Sequence, residues 1–153
     1  MSHELPPIVK EMSVAIDPDE AFRHFIDRIS EWWPLEHFSI LGPVATSCVV
    51  EKKEGGDIYE VGEDGSVVLW GSVTRFDSPR RFECTWHPGR PPQTAQRLLV
   101  TFHPEREGDG TVIRLEHTDW ETLGDNAMEV HSLYQQGWDT VFLEQYRAAC
   151  ERS

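Results

Sequence analysis

From Asp125 to Cys150 the chain runs without a proline, and its apolar residues recur at helical spacing. At about 100° per residue, Val130, Tyr134, Trp138, Val141, Phe142, Ala148 and Ala149 fall within one sector. Glu129, Ser132, Gln136, Asp139 and Arg147 lie on the other side. Asn126-x-x-Glu129 has the spacing of a reciprocal N-terminal cap, in which each side chain satisfies a backbone N–H that the first turn leaves unpaired. The pattern predicts one long C-terminal helix with a broad aromatic face, and such a face needs a large surface to cover it.

The preceding chain alternates instead. Ile8 to Ile16 reads as a first strand with Ile8, Met12, Val14 and Ile16 on one face and Lys10 interrupting it. Asp17-Pro18-Asp19-Glu20 then supplies a capping aspartate, proline at the first helical position and glutamate at the third. Ala21, Phe22, Phe25, Ile26 and Ile29 continue with helical spacing to Trp32-Trp33, where Pro34 disfavours helical geometry in the residue before it. The adjacent indoles must point in different directions, one facing a cavity and the other packing outside it. Leu35 to Val44 is irregular, with a turn at Gly42-Pro43. Strands follow at hairpin spacing over Thr46–Lys53, Gly56–Val61, Val67–Asp77, Arg81–His87, Gln96–Pro104 and Thr111–Asp119. Turn-forming strings such as Glu54-Gly55-Gly56, Glu63-Asp64-Gly65 and Gly108-Asp109-Gly110 separate them, which predicts an antiparallel meander.

Strand parity selects the side chains that meet the helix. Phe82, Cys84 and Trp86 share one face, as do Ile113, Leu115 and His117. Tyr59 and Val61 are taken as the inward pair of their strand. Trp70 and Val73 have opposite parity, and Gly71 marks a candidate bulge.

Composition narrows the choice of partner. With 27 acidic against 14 basic residues the net charge is −13, an unfavourable field for phosphate backbones or anionic lipid. Nucleic acid and membrane are not expected partners; Arg80-Arg81 and Arg90 are isolated basic islands. No apolar run approaches the ~20 residues of a membrane span, and M-S-H-E-L-P-P lacks the parts of a secretion signal, so a cytoplasmic location is expected. The three cysteines, Cys48, Cys84 and Cys150, are widely spaced and read as reduced, packed thiols. Residues 1–153 read as one domain.

Several strings, taken in order, resemble a known family. They are Trp32-Trp33-Pro34, Gly56-Asp57-Ile58-Tyr59-Glu60 leading to Glu63-Asp64-Gly65, Leu69-Trp70-Gly71-Ser72-Val73, Ser78-Pro79-Arg80-Arg81-Phe82, Thr85-Trp86, Val100-Thr101-Phe102 and Leu115-Glu116-His117. Tyr134, Gly137-Trp138 and Leu143 continue the likeness. The chain resembles the START/birch-pollen-allergen-like (SRPBCC) superfamily, in the branch named after the C-terminal domain of the activator of the heat-shock-protein-90 ATPase. The resemblance implies an α+β helix-grip fold, with a curved antiparallel sheet of about six to seven strands around the C-terminal helix and a cavity between them. It implies no single activity, since members bind lipids, hormones or polyketides, act on aromatic substrates or contact chaperones. Some members dimerise, so a homodimer is compatible with it.

The candidate ligand contacts are Trp33, Tyr59, Trp70, Trp86 and His117, with Tyr134, Trp138, Phe142 and Gln145 on the helix. His117 and Asp119 share a face, a pairing that suits acid–base or metal chemistry, but a histidine on an apolar face is more often a hydrogen-bonded core residue. Gln145 stands in the aromatic sector, where a buried amide needs partners. No nucleophile elbow, phosphate loop or zinc-protease helix occurs, so no catalytic residue, metal or cofactor is assigned. The reading favours binding of a small apolar or aromatic ligand, neutral or cationic rather than strongly anionic. A chaperone-accessory module and an enzyme acting in the same cavity are the alternatives.

Overall fold

The computed structural model describes residues 5–152. Met1 to Glu4, part of the string read above for a secretion signal, and Ser153 lie outside the described residues. Strand β1 (Ile8–Val14) leads into α1 (Pro18–Ile26), α2 (Ile29–Trp32) and a single turn, α3 (Leu35–Phe38). Six strands follow: β2 (Ala45–Val50), β3 (Asp57–Gly62), β4 (Val67–Asp77), β5 (Arg81–Trp86), β6 (Gln96–Pro104) and β7 (Thr111–Thr118). A 3-10 connection, Trp120–Asn126, enters the C-terminal helix, which runs as α4 (Ala127–Trp138), a π-helical stretch Asp139–Tyr146 and α5 (Arg147–Glu151).

All pairings are antiparallel, in the order β1-β7-β6-β5-β4-β3-β2, and the seven-stranded sheet curls around the helix. This is the helix-grip α+β fold that the sequence resembles. The regular ladders of β5, β6 and β7 present Phe82, Cys84 and Trp86, then Leu98, Val100 and Phe102, then Ile113, Leu115 and His117, all buried on the inner face. Each such apolar side chain contributes about 1.5–3 kcal/mol by leaving water. Lys10, which interrupts the apolar face of β1, reaches Asp139 on the helix, 2.8 Å away. A cation at that position therefore ties the edge strand to the start of the π-helical stretch.

Local signals explain the helical insertion. The Asp17 carboxylate accepts the Glu20 N–H at 2.9 Å and Pro18 opens the helix, as the string predicts. The helix predicted to reach Trp32-Trp33 is broken between Ile26 and Ile29. Trp33 is extended, with ψ 124°, the geometry that the following Pro34 favours.

Three departures from the sequence pattern have physical causes. Asn126 makes no side-chain cap, because the 3-10 connection runs directly into α4 and leaves it in helical geometry. In β3 the inner face carries Ile58 and Glu60, so Tyr59 and Val61 turn to the other side. On the C-terminal helix, Tyr146 takes the inward place that Gln145 would hold at 100° per residue, and Gln145 is exposed. An i→i+5 turn takes up an extra residue, so the π-helical stretch moves the apolar face on by one position.

Trp70 and Val73 are both 1% exposed despite their opposite parity. The β3–β4 ladder pairs Ile58 with Gly71 and Tyr59 with Leu69, leaving Trp70 as the extra residue of a bulge. Gly71 makes this possible, since a Cβ there would lie 1.9 Å from the Thr85 carbonyl oxygen.

Candidate functional site

Between the sheet and α4 lies a cavity of about 430 Å³. The sheet supplies Trp70 and Trp86, and the helix supplies Val130, Leu133, Tyr134, Gly137, Trp138 and Val141. The third side is a strap formed by Trp33 and the residues after it, His37, Phe38, Ser39 and Ile40; Pro88 and Arg90 of the β5–β6 loop complete the lining. The four indoles form one connected wall, with Trp33 5.0 Å from Trp70, Trp70 5.5 Å from Trp86, and Trp86 5.9 Å from Trp138.

Each indole N–H in this wall has a partner. Trp86 Nε1 donates to the Tyr134 hydroxyl at 3.0 Å, Trp138 Nε1 to His117 Nδ1 at 3.1 Å, and Trp33 Nε1 to the Phe38 carbonyl at 2.8 Å. Trp70 Nε1 donates to Glu60 at 2.7 Å. The Glu60 side chain is fully buried and also accepts the backbone N–H groups of Ile40, at 2.7 Å, and Leu41, at 3.0 Å. One carboxylate thus fastens the strap to the sheet and fixes the plane of Trp70. Three donors give a buried carboxylate the hydrogen bonds it needs in place of water.

The β5–β6 loop is pinned against the same strap. His87 is buried, and its Nδ1–H donates to the Arg90 carbonyl at 2.9 Å. Gly89 has φ +68° and approaches Ile40 so closely that a Cβ would sit 2.9 Å from its side chain. Ile40 (54% exposed) and Leu133 (66% exposed) stand at the mouth, giving the cavity an apolar rim.

Five of the residues singled out from the sequence therefore meet at the cavity: Trp33, Trp70, Trp86, Tyr134 and Trp138. The other four are elsewhere. Tyr59 is half-buried on the opposite face of β3, and Gln145 faces outward. Phe142 is fully buried and stacks on Tyr146, at a centroid distance of 5.7 Å, in the core beyond the cavity. His117 lies behind Trp138, and Trp32 also packs into the core rather than outside it, 5.1 Å from Tyr146.

The His117 ring is held in one form. Nδ1 accepts from Trp138, so Nε2 carries the proton that it donates to Gln96 Oε1 at 3.2 Å. Burial, reinforced by the charge of His131, pushes its pKa down to about 3. A neutral, doubly engaged imidazole is a support for Trp138 and is unsuited to proton transfer near neutrality. Burial likewise pushes the Cys48 thiol up to about 12 and raises Cys84 further, so both are inert packed thiols. Among the described residues no group of three or more His, Cys, Asp or Glu is arranged to hold a metal ion. Nor is any helix long and apolar enough to cross a membrane.

The sequence reading missed the strap, Glu60 and Arg90. His37 to Ile40 carry no periodic signal, and Glu60 occupies a strand position whose neighbours are more apolar. In the sequence Arg90 is only an isolated charge. A faint signal for the loop is the string Pro88-Gly89-Arg90-Pro91-Pro92, whose glycine and prolines mark a stiff, shaped turn.

Residues 15–151 match the family described as Activator of Hsp90 ATPase homolog 1-like protein, and the chain belongs to that family. No curated protein matches the chain in sequence. Among solved structures, protein MLL2253 from Mesorhizobium loti has a TM-score of 0.71 at 16% identity, covering 97% of this chain and 98% of its own, a likeness of fold. The self-sacrificing resistance protein CalC from Micromonospora echinospora has a TM-score of 0.70 at 25% identity, with 96% and 95% covered. An anthrahydroquino-gamma-pyrone synthase, Txn09, complexed with SUM, has a TM-score of 0.59 at 30% identity, with 88% and 90% covered.

Proposed function

We propose that this member of the Activator of Hsp90 ATPase homolog 1-like family binds a small aromatic or apolar ligand in the cavity between the sheet and α4. The observation that carries the reading is the wall of four tryptophans around about 430 Å³, closed on its third side by a strap with its own buried anchor. That volume falls in the ~300–1,000 Å³ range of small-molecule sites. Apolar rings with a few convergent polar groups are the usual chemistry of such sites. The likeness to CalC and to a pyrone synthase supports a ligand-binding use of the fold.

Titration with the neutral probe N-phenylnaphthylamine, together with native mass spectrometry after gentle purification, tests the reading. Saturable one-to-one binding with quenching of the tryptophans is expected; no binding and no quenching would remove it. Trp138→Ala should abolish binding and cost about 3–5 kcal/mol of stability, because the same ring is cavity wall and core.

A second reading, an enzyme acting on a bound aromatic substrate, is favoured by the 30% identity to the synthase. In that case Tyr134 is the acid group placed at the cavity, since His117 is held neutral behind Trp138. Turnover that persists in Tyr134→Phe would exclude that role.

A further inference from the structure

Polar side chains are few in this cavity, and Tyr134 and Arg90 are two of them. The Tyr134 hydroxyl oxygen accepts from Trp86 at 3.0 Å, while its own O–H meets no acceptor among the described residues. A hydroxyl has one donor to place, and on this half-buried side chain it is available to a ligand in the cavity. The group stays a phenol: burial raises its pKa, outweighing the Trp86 hydrogen bond and the Arg90 charge that pull it down. Tyr134 and Arg90 both line the cavity.

Arg90 lines the same cavity and forms no ion pair among the described residues. Its backbone is fixed by His87 and by the Gly89 N–H, which donates to the Leu69 carbonyl at 3.3 Å, so the side chain springs from a set position at the mouth. Among the described residues no acidic side chain lines the cavity. Glu60 is occupied by three N–H donors and stands outside the lining.

Given the ligand-binding reading above, on which this rests, we propose that the Tyr134 hydroxyl and the Arg90 guanidinium form a recognition point for one anionic oxygen. The ligand class is then an aromatic molecule bearing a single acidic oxygen, a carboxylate or an acidic phenol. Its rings lie among the tryptophans and its oxygen points to the mouth. The net charge of −13 favours neutral or cationic ligands at long range. Its field is screened over ~8 Å at physiological salt, whereas the phenol and guanidinium act at contact. The two effects together select a singly charged aromatic acid over a polyanion.

Calorimetric titration of the intact protein with naphthoate, naphthalenemethanol and naphthylmethylammonium at neutral pH separates the possibilities. Naphthoate should bind at least ~10-fold more tightly than the alcohol, and the ammonium more weakly than either, as a charge-assisted hydrogen bond of ~1.5–3 kcal/mol requires. Arg90→Gln and Tyr134→Phe should each pull the naphthoate-to-alcohol affinity ratio toward one. Arg90 is exposed and the phenylalanine keeps the ring, so neither variant threatens folding. Equal affinities for the three probes, or a ratio unchanged in both variants, would overturn the recognition point while leaving the pocket. Failure of all three to bind would overturn the pocket itself, and the recognition point with it.

Discussion

The C-terminal helix covers two aromatic clusters that differ in how they treat their polar atoms. Toward its C-terminal end, Phe22, Phe25, Trp32, Phe102, Phe142 and Tyr146 close on one another, with Phe22 5.1 Å from Phe102 and Phe25 5.2 Å from Tyr146. The two polar handles there are discharged on backbone carbonyls: Trp32 Nε1 on His24 at 2.7 Å and the Tyr146 hydroxyl on Ala21 at 2.5 Å. Around the cavity, three of the four indoles bond instead to side chains, Tyr134, His117 and Glu60. A backbone carbonyl uses up a donor and ends the chain of bonds. A side-chain partner passes the requirement on, so that a hydroxyl proton is left at the cavity wall. The π-helical stretch between Trp138 and Arg147 joins the two halves and sets a different residue phase in each.

The sharpest contrast is in stability. Phe142→Ala removes a fully buried, stacked ring from the packed half and should cost about 3–5 kcal/mol in urea denaturation. Leu133→Ala, at the exposed cavity mouth, should stay within about 0.5 kcal/mol while weakening ligand binding. Similar costs for the two would erase the distinction between a packed half and an open one.

Next in size is the strap. Glu60→Gln replaces an oxygen that accepts from Leu41, or from Ile40 and Trp70, with an N–H₂ group that faces a donor. The expected cost is about 1–3 kcal/mol. It should appear as faster hydrogen exchange at the Ile40 and Leu41 amides, with Tyr146 and its neighbours undisturbed. Unchanged exchange at those two amides would mean that the carboxylate does not hold the strap.

Legibility in the sequence followed the same division. Where ladders are regular, parity alone placed Phe82, Cys84, Trp86, Ile113, Leu115 and His117 on the inner face. Parity failed at Tyr59, because a satisfied carboxylate, Glu60, took the inward position that apolarity would give to Tyr59 and Val61. Helical periodicity placed Tyr134 and Trp138 and failed at Gln145, since nothing in a hydrophobic pattern announces an i→i+5 turn. The strap and Arg90 are loop features, held by particular hydrogen bonds rather than by periodic burial. The fold was therefore written in the pattern and the polar half of the site was not.

Absent at neutral pH and growing only as acid is added, the acid response belongs to the cavity half through His117. Burial, and after it His131, push its pKa down from the ordinary 6.5 to about 3 in the folded chain. Below the higher value the unfolded chain takes up a proton that the folded chain refuses. This contribution to stability is therefore complete above about pH 6.5 and is lost as pH falls toward 3, by about 1.4 kcal/mol per pH unit inside that window. His24, buried in the packed half, has its pKa lowered by burial and by Arg28, and carboxylates add their own slopes, so the wild-type curve alone does not isolate His117. His117→Gln does: the amide oxygen is able to accept from Trp138 Nε1, and the group does not titrate. Urea midpoints measured at several pH values should show a shallower acid loss in the variant. Parallel curves would mean that His117 is accessible to protons in the folded state and that the wall behind Trp138 is wetter than its burial implies.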